Sequence, residues 1–227
     1  MNVKVVSITK SLIEGKELSA EDLIVYTARV SNPTNQMNTE TSDRLLNYLI
    51  KNKHWSPFDM VDLTLEIKTS RAIAQQILRH WSARFQEFSQ RYAEAVELEP
   101  IQIRKAGATT RQGSAEEFDP KIEVDMGNDI IPDKASDAIS DYLQWGENLY
   151  KALLQGGVAK ECARMILPLT TQTTIYMKGS VRTWMFYLAQ RLDPHAQLEH
   201  REVAQEAEKI FQIHFPNVHK AFFQDGQ

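Results

Sequence analysis

The sequence predicts a single chain that mixes helices with strands, and three observations carry that prediction. Residues 2–9 (NVKVVSIT) are β-branched, and residues 59–68 (DMVDLTLEIK) alternate apolar with polar, as strands do. Elsewhere apolar residues recur at helical spacing behind Ser or Asp start signals. The length of 227 residues fits one large domain, or two small ones at most, with enough chain to bury a sizeable core.

Each element follows from local chemistry. Ser19 with Asp22 opens a helix through about Val30, and Ser42 starts another through about Ile50. In the strand at 59–68, Leu63, Leu65 and Ile67 share one face. Ser70 then caps a helix whose Ile73, Ile77, Trp81 and Phe85 recur every four residues, a core-facing stripe that leaves Gln76, Arg79 and His80 on neighbouring faces. Residues 106–133 hold Gly and Pro punctuation with little periodicity and predict a long excursion with one short strand. Helix returns at 134–155 and stops at Gly156-Gly157. A shorter helix over 158–166 ends before Pro168, LTTQTTIYMKG reads as a strand, VRTWMFYLAQRL as a helix, and His195 to His214 as a further helix.

Composition narrows the class. The chain is 42% hydrophobic and 25% charged with a net charge of −4, and it has no lysine-rich arm, which argues against a nucleic-acid coat. One cysteine, Cys162, excludes an internal disulfide framework and a cysteine metal knuckle, and a small core residue is its expected role. No run of 18 apolar residues and no signal-peptide pattern occurs, so a cytoplasmic protein with no membrane partner is expected. Neither histidine pair at five-residue spacing forms a metal motif, and no P-loop, G-x-G-x-x-G or G-x-S-x-G is present, so no metal is expected.

Three clusters can carry chemistry. Gln75 to Tyr92 (QQILRHWSARFQEFSQRY) interleaves Arg79, Arg84 and Arg91 with Trp81, Phe85, Phe88 and Tyr92. A planar ring bearing phosphates needs such cationic forks, amides and flat apolar walls. Residues 69–104 contain no lysine, which favours bidentate arginine contacts over point charges. A second cluster runs from Glu161 and Arg164 through Arg182 to Arg191-Leu192-Asp193-Pro194-His195. Arg182 and Arg191, nine apart, fall on opposite sides of a helix and serve different groups. The third is His54-Trp55-Ser56-Pro57-Phe58-Asp59, ahead of the strand at 59–68.

In order along the chain these blocks read H-x-S-P-F, then Q-x-x-R-H-x, seven residues, S-x-R-Y, then A-R, then L-x-x-R-L-D-P-H-A-Q. That order resembles the flavin-dependent thymidylate synthases, from about Ala28 to about Phe223. The family's central signature is Arg-His-Arg, seven residues, Ser; here Arg79, His80 and Ser89 match, and Trp81 stands at the second arginine. The resemblance implies an α+β fold, a single compact domain over 1–227 with a mixed or antiparallel sheet and several long helices. It implies reductive methylation of dUMP at C5 to dTMP, with methylenetetrahydrofolate as carbon donor and FAD reduced by NADPH, in a homotetramer with shared active sites.

Carried over by position, Gln76, Arg79, Glu87, Phe88, Ser89, Gln90, Arg91, Arg164 and Arg191 fall where dUMP is held. Ser31, His54, Ser56, Asp59, Arg79, His80, Trp81, Glu87, Arg182, Arg191 and His195 fall where FAD is bound. Arg79, Ser89, Arg91 and Arg191 are the residues expected at the chemistry, with Ser89 orienting substrate rather than attacking it. The Trp81 ring either stacks on flavin or joins the Ile73–Ile77–Phe85 stripe, with core packing favoured, and Arg84 is placed to restore the missing charge. Ser180 and Phe186 also replace polar flavin contacts of the family. Two alternatives accompany this reading: a non-catalytic nucleotide- or flavin-binding homologue, and hydroxymethyl transfer to dUMP.

Overall fold

The computed structural model describes residues 1–15, 17–94, 97–108, 113–125, 127 and 130–224. In chain order its elements are β1 (Asn2–Ile8), α1 (Ala20–Ala28), α2 (Ser42–Lys51), β2 (Asp62–Ser70), α3 (Arg71–Ile77) and β3 (Arg84–Glu87). Two hairpins follow, β4–β5 (Arg104–Ala106, Ser114–Glu117) and β6–β7 (Lys121–Asp125, Ile130–Lys134). Then come α4 (Ala135–Gln155), α5 (Lys160–Ala163), β8 (Gln172–Ser180), α6 (Val181–Arg191), α7 (Leu198–His214) and α8 (Pro216–His219). The fold is α+β, and the chain divides into two compact units. The first comprises Met1–Lys68, Gln75–Glu87 and Thr174–Gln227; the second comprises Thr69–Ala74 and Phe88–Thr173.

The first unit is built on a sheet of order β1-β2-β8-β3. Alternation in β2 puts Leu63, Leu65 and Ile67 on the inner face, all fully buried, and each such side chain contributes about 1.5–3 kcal/mol. β1 pairs antiparallel with β2, with a bulge between Val5 and Ser7, and β3 pairs antiparallel with β8. α7 packs on β1 and α6, burying Val203, Ala204, Ala207 and Phe211 at helical spacing. Ser180 ends β8 and caps α6 by accepting from Thr183 N at 3.2 Å, while Trp184 Nε1 donates to the Leu63 carbonyl at 2.9 Å. β8 and α6 therefore meet at a fixed corner.

At the other end of this unit Ser19 caps α1, accepting from Asp22 N at 3.0 Å. Glu21, on the first turn of α1, accepts from Val218 N and Asn217 Nδ2, each at 2.8 Å, and so satisfies donors of α8. A π-helical turn, Lys220–Gln224, closes the described chain.

In the second unit α4 buries Ala135 and Tyr150 and ends as the glycine pair predicts. Gly157 takes φ +84°, so that Val158 N reaches the Leu153 carbonyl at 2.9 Å and Gly157 N reaches Leu154 at 3.0 Å, a Schellman closure. The hairpins β4–β5 and β6–β7 are held by their ladders, with mostly exposed side chains where these are described.

Several expectations are corrected. The helix after Ser70 stops at Ile77, and a turn carried by His80 N to Ile77 O and Ala83 N to His80 O leads into β3. Phe85 lies opposite Met177 across the ladder, and Trp81 is 88% exposed rather than in a core stripe. Pairing with β8 gives residues 84–87 backbone partners that override the four-residue apolar spacing. The strand expected from 59 starts at Asp62, because Pro57 seeds a 3-10 turn over Ser56–Asp59. The final helix starts at Leu198, not His195, since Asp193 accepts from His195 N and fixes a turn around Pro194. The 106–133 excursion holds two hairpins where one short strand was expected; its residues 109–112, 126 and 128–129 lie outside the described residues. Cys162 is exposed, and the neighbouring Ala163 takes the core position instead.

Candidate active site

The corner between β8 and α6 opens a cavity of about 700 Å³ in the first unit. Its floor is Lys178, Gly179 and Ser180, where a Cβ on Gly179 would come within 2.6 Å of the Thr183 side chain, so only glycine allows this corner. Arg182 and Thr183 from α6 and Asp59 from the 3-10 turn line one side. Asp59 accepts from the Ser180 hydroxyl at 2.8 Å and pairs with Arg182 at 3.0 Å, so the carboxylate orients both. His80, Trp81, Ser82 and Arg84 line the other side. Arg84 stands directly opposite Lys178 across the β3–β8 ladder, two cations where like charges repel. Lys178 is neutralised by Asp62 at 2.7 Å. Arg84 instead donates to backbone carbonyls of Ala83 (3.0 Å) and Trp81 (3.4 Å), which hold its fork beside the cavity without neutralising it.

Behind this cavity, in the same unit, a polar chain runs from buried Tyr187 and His200 through half-buried Gln76 to exposed Gln197. Tyr187 Oη bonds His200 Nε2 at 3.1 Å, His200 Nδ1 bonds Gln76 Oε1 at 3.2 Å, and Gln76 Nε2 donates to Gln197 at 2.6 Å. Desolvation, then Arg191 and His80, push the His200 pKa down to about 4, so its ring is neutral at pH 7. With the Gln76 carbonyl facing Nδ1, the ring donates there and accepts at Nε2 from Tyr187, whose own pKa burial raises. The chain thus fixes the orientation of the Gln76 amide. His80 packs edge-on to Tyr187 at 5.4 Å, and desolvation and Arg191 lower its pKa. One ring nitrogen of His80 is bonded to the Thr183 backbone; the other, Nε2, and Arg191 Nε are buried with no partner among the described residues. Arg182 pairs with Asp59, while the Arg191 charge acts on His80 and His200.

The second unit gathers another part of the predicted set. Arg91 donates to Glu161 Oε2 at 3.1 Å and Arg164 Nε donates to the Glu161 carbonyl at 3.4 Å, so two guanidinium groups converge on one residue. Ser89 opens a turn: its hydroxyl accepts from Arg91 N at 3.4 Å and its carbonyl from Tyr92 N at 3.1 Å. Gln90 is buried, with Nε2 lacking a partner among the described residues. Phe88 precedes this turn and is half-buried.

Of the expected flavin residues, the cavity therefore brings together Asp59, His80, Trp81 and Arg182. Ser31 lines a separate cavity of about 480 Å³ with Arg29 and Thr41. His54 packs edge-on to Tyr48 at 5.9 Å, Ser56 is exposed at the start of its 3-10 turn, and His195 is exposed and bonded to Asp193 at 2.7 Å. Arg79 is exposed, and Glu87 sits in β3 opposite Ile175. The sequence reading missed His200, Tyr187, Asp62, Lys178 and Gly179. An H-bonding histidine inside a helix of mixed polarity gives no local signal, and Lys178 becomes visible only once β3 is paired with β8.

The chain matches the family described as thymidylate synthase complementing protein over residues 12–217. It belongs to that family. Similar proteins span nearly the whole chain. A flavin-dependent thymidylate synthase of Synechocystis sp. is 48% identical, covering 96% of this chain and 97% of the relative. A probable flavin-dependent thymidylate synthase of Paramecium bursaria Chlorella virus 1 is 45% identical, covering 97% and 98%. A third, from Thermotoga neapolitana, is 30% identical over 97% and 94%. Among the described residues, no helix is long and apolar enough to cross a membrane.

Proposed function

We propose that this chain catalyses the reductive methylation of dUMP to dTMP, with methylenetetrahydrofolate as carbon donor, FAD as the flavin and NADPH as reductant. The observation that carries the reading is a set of buried polar atoms without partners among the described residues, His80 Nε2, Arg191 Nε and Gln90 Nε2, on residues within the blocks that resemble the family. Buried polar atoms are usually satisfied; Thr69 Oγ1, Tyr150 Oη and Thr170 Oγ1 are further exceptions, but these three stand within the family blocks, where they fit a polar ligand. A cavity of about 700 Å³ that places Arg84 beside the exposed Trp81, with Lys178 and Arg182 held by Asp62 and Asp59, suits a ring system with a diphosphate.

The residues divide the work. Arg79, Trp81, Arg182, Arg191, His80 and His195, with Ser31, His54, Ser56, Asp59 and Glu87, hold FAD, and a reduced flavin bound there supplies the hydride that completes the methyl group. Neutral His80 presents Nε2 as an acceptor. Arg91 and Arg164 bind the dUMP phosphate, exchanging the Glu161 contacts for a dianion that forks recognise better. Gln90, Gln76, Glu87 and Phe88 orient the base and sugar, Ser89 positions rather than attacks, and Arg79 and Arg191 reach both ligands. No protein nucleophile takes part. The chain acts as one functional domain, consistent with an unbroken family match through both units, in a cytoplasmic homotetramer.

The test is a visible spectrum of the purified protein, then an anaerobic tritium-release assay with dUMP labelled at C5, NADPH and methylenetetrahydrofolate. A flavin spectrum with dUMP-dependent release is expected. Apoprotein that ignores added FAD would instead point to a non-catalytic binder, and hydroxymethyl-dUMP as the product would correct the chemistry.

A further inference from the structure

A second cavity in the first unit, about 810 Å³, lies beside α2 and the C-terminal π-turn. Arg44, Lys51 and Lys53 line it together with Tyr48, Trp55 and Phe222, and no carboxylate lines it among the described residues. None of the three cations has a hydrogen bond or ion pair from its side chain to a described residue. In a chain of net charge −4, three unpaired cations around aromatic walls make a site for a planar ligand with several anionic groups.

The backbone adds an independent sign. α2 ends in the same closure as α4: His54 N reaches the Leu49 carbonyl at 2.8 Å and Lys53 N reaches Ile50 at 3.0 Å. In α4 the left-handed position is Gly157; in α2 it is Lys53, at φ +58°. A lysine there is strained where glycine is not, and such strain gathers at ligand clamps. What lysine adds is a cation at the cavity.

Location narrows the ligand. Trp55 of this cavity packs edge-on against Phe186 at 5.2 Å, and Phe186 lines the cavity assigned to flavin, so one aromatic wall separates the two. We propose that the second cavity binds the phosphates and adenosine of a reduced pyridine dinucleotide, its 2′-phosphate and diphosphate meeting Arg44, Lys51 and Lys53. This rests on the flavin-dependent synthase reading, which requires a reductant.

The test uses the full chain and two variants, Lys53→Gly and the pair Arg44→Ala/Lys51→Ala. Lys53→Gly is expected to raise Tm by about 2–4 °C while raising the KM for NADPH about tenfold. Arg44→Ala/Lys51→Ala is expected to raise that KM further, and adenosine 2′,5′-bisphosphate to compete with NADPH in the wild type. Turnover driven by dithionite should be unchanged in both variants. An unchanged KM for NADPH in both variants overturns the proposal, as does an altered oligomeric state with unchanged KM, which would make this face a subunit contact. A wild-type protein that releases no tritium even with dithionite refutes the synthase reading instead, and equilibrium titration with NADPH still decides the site.

Discussion

Arg84→Ala should weaken flavin binding without harming the fold, and the two effects should have opposite signs. Arg84 faces Lys178 directly across the β3–β8 ladder and, among the described residues, has only backbone carbonyls for partners, at 3.0 and 3.4 Å. Removing a like charge from a cross-strand pair relieves repulsion that Asp62 already offsets in part at Lys178, at most about 1 kcal/mol, so the apoprotein should be as stable as the wild type or slightly more so. A charge-assisted hydrogen bond to a diphosphate contributes about 1.5–3 kcal/mol, so the FAD Kd should rise roughly 10- to 150-fold. Trp81, 88% exposed, stands where the family carries a second arginine, so Trp81→Arg in the Arg84→Ala background should recover most of the lost affinity. Flavin fluorescence titration gives Kd, and urea unfolding of the apoprotein gives stability. An unchanged Kd would show that Arg84 is a solvated surface arginine. A loss of affinity matched by a loss of apoprotein stability would refute the electrostatic argument equally well.

Three further outcomes are expected. His200, held near pKa 4 in the fold against 6.5 in the unfolded chain, favours the neutral ring, so stability is full above about pH 6.5. It should fall by roughly 3 kcal/mol as pH drops from 6.5 to 4, with His80 contributing in the same direction; a His200 ring resonance titrating near 6.5 would refute this. Glu21→Ala removes the acceptor for Val218 N and Asn217 Nδ2, and should cost about 2 kcal/mol, or roughly 4–8 °C in Tm, with cleavage by protease beginning at the C-terminus. The figure is modest because burial, the largest influence on Glu21, raises its pKa and opposes the charged form. Cys162→Ala should retain turnover in the tritium-release assay, since the exposed thiol is given no covalent role; complete loss in folded protein would overturn that.

Elements governed by near neighbours were legible in the sequence. Ser19–Asp22 caps α1, Leu63–Leu65–Ile67 fills one face of β2, and Gly157 closes α4, all as local rules dictate. The chain after Ile77 was not legible, because its structure is decided by a strand almost a hundred residues away: Phe85 has apolar spacing for a helix, yet its ladder partner is Met177. The same long-range pairing hid Lys178 from the site, while Arg91 and Arg164 were found from the motif and do converge on Glu161. His200 was invisible for a different reason: burial changes its chemistry, and residue type alone does not show burial.

The bulge in β1 has a consequence beyond this unit's own packing. β1 is an end strand of the sheet, with Val5 and Val6 exposed by 38% and 50%, an apolar margin that would invite another chain to add a strand. The extra residue between Val5 and Ser7 breaks the regular succession of outward N–H and C=O groups, so an incoming strand loses register at that point. The irregularity is thus a guard on the sheet's open margin, keeping an apolar edge from templating aggregation.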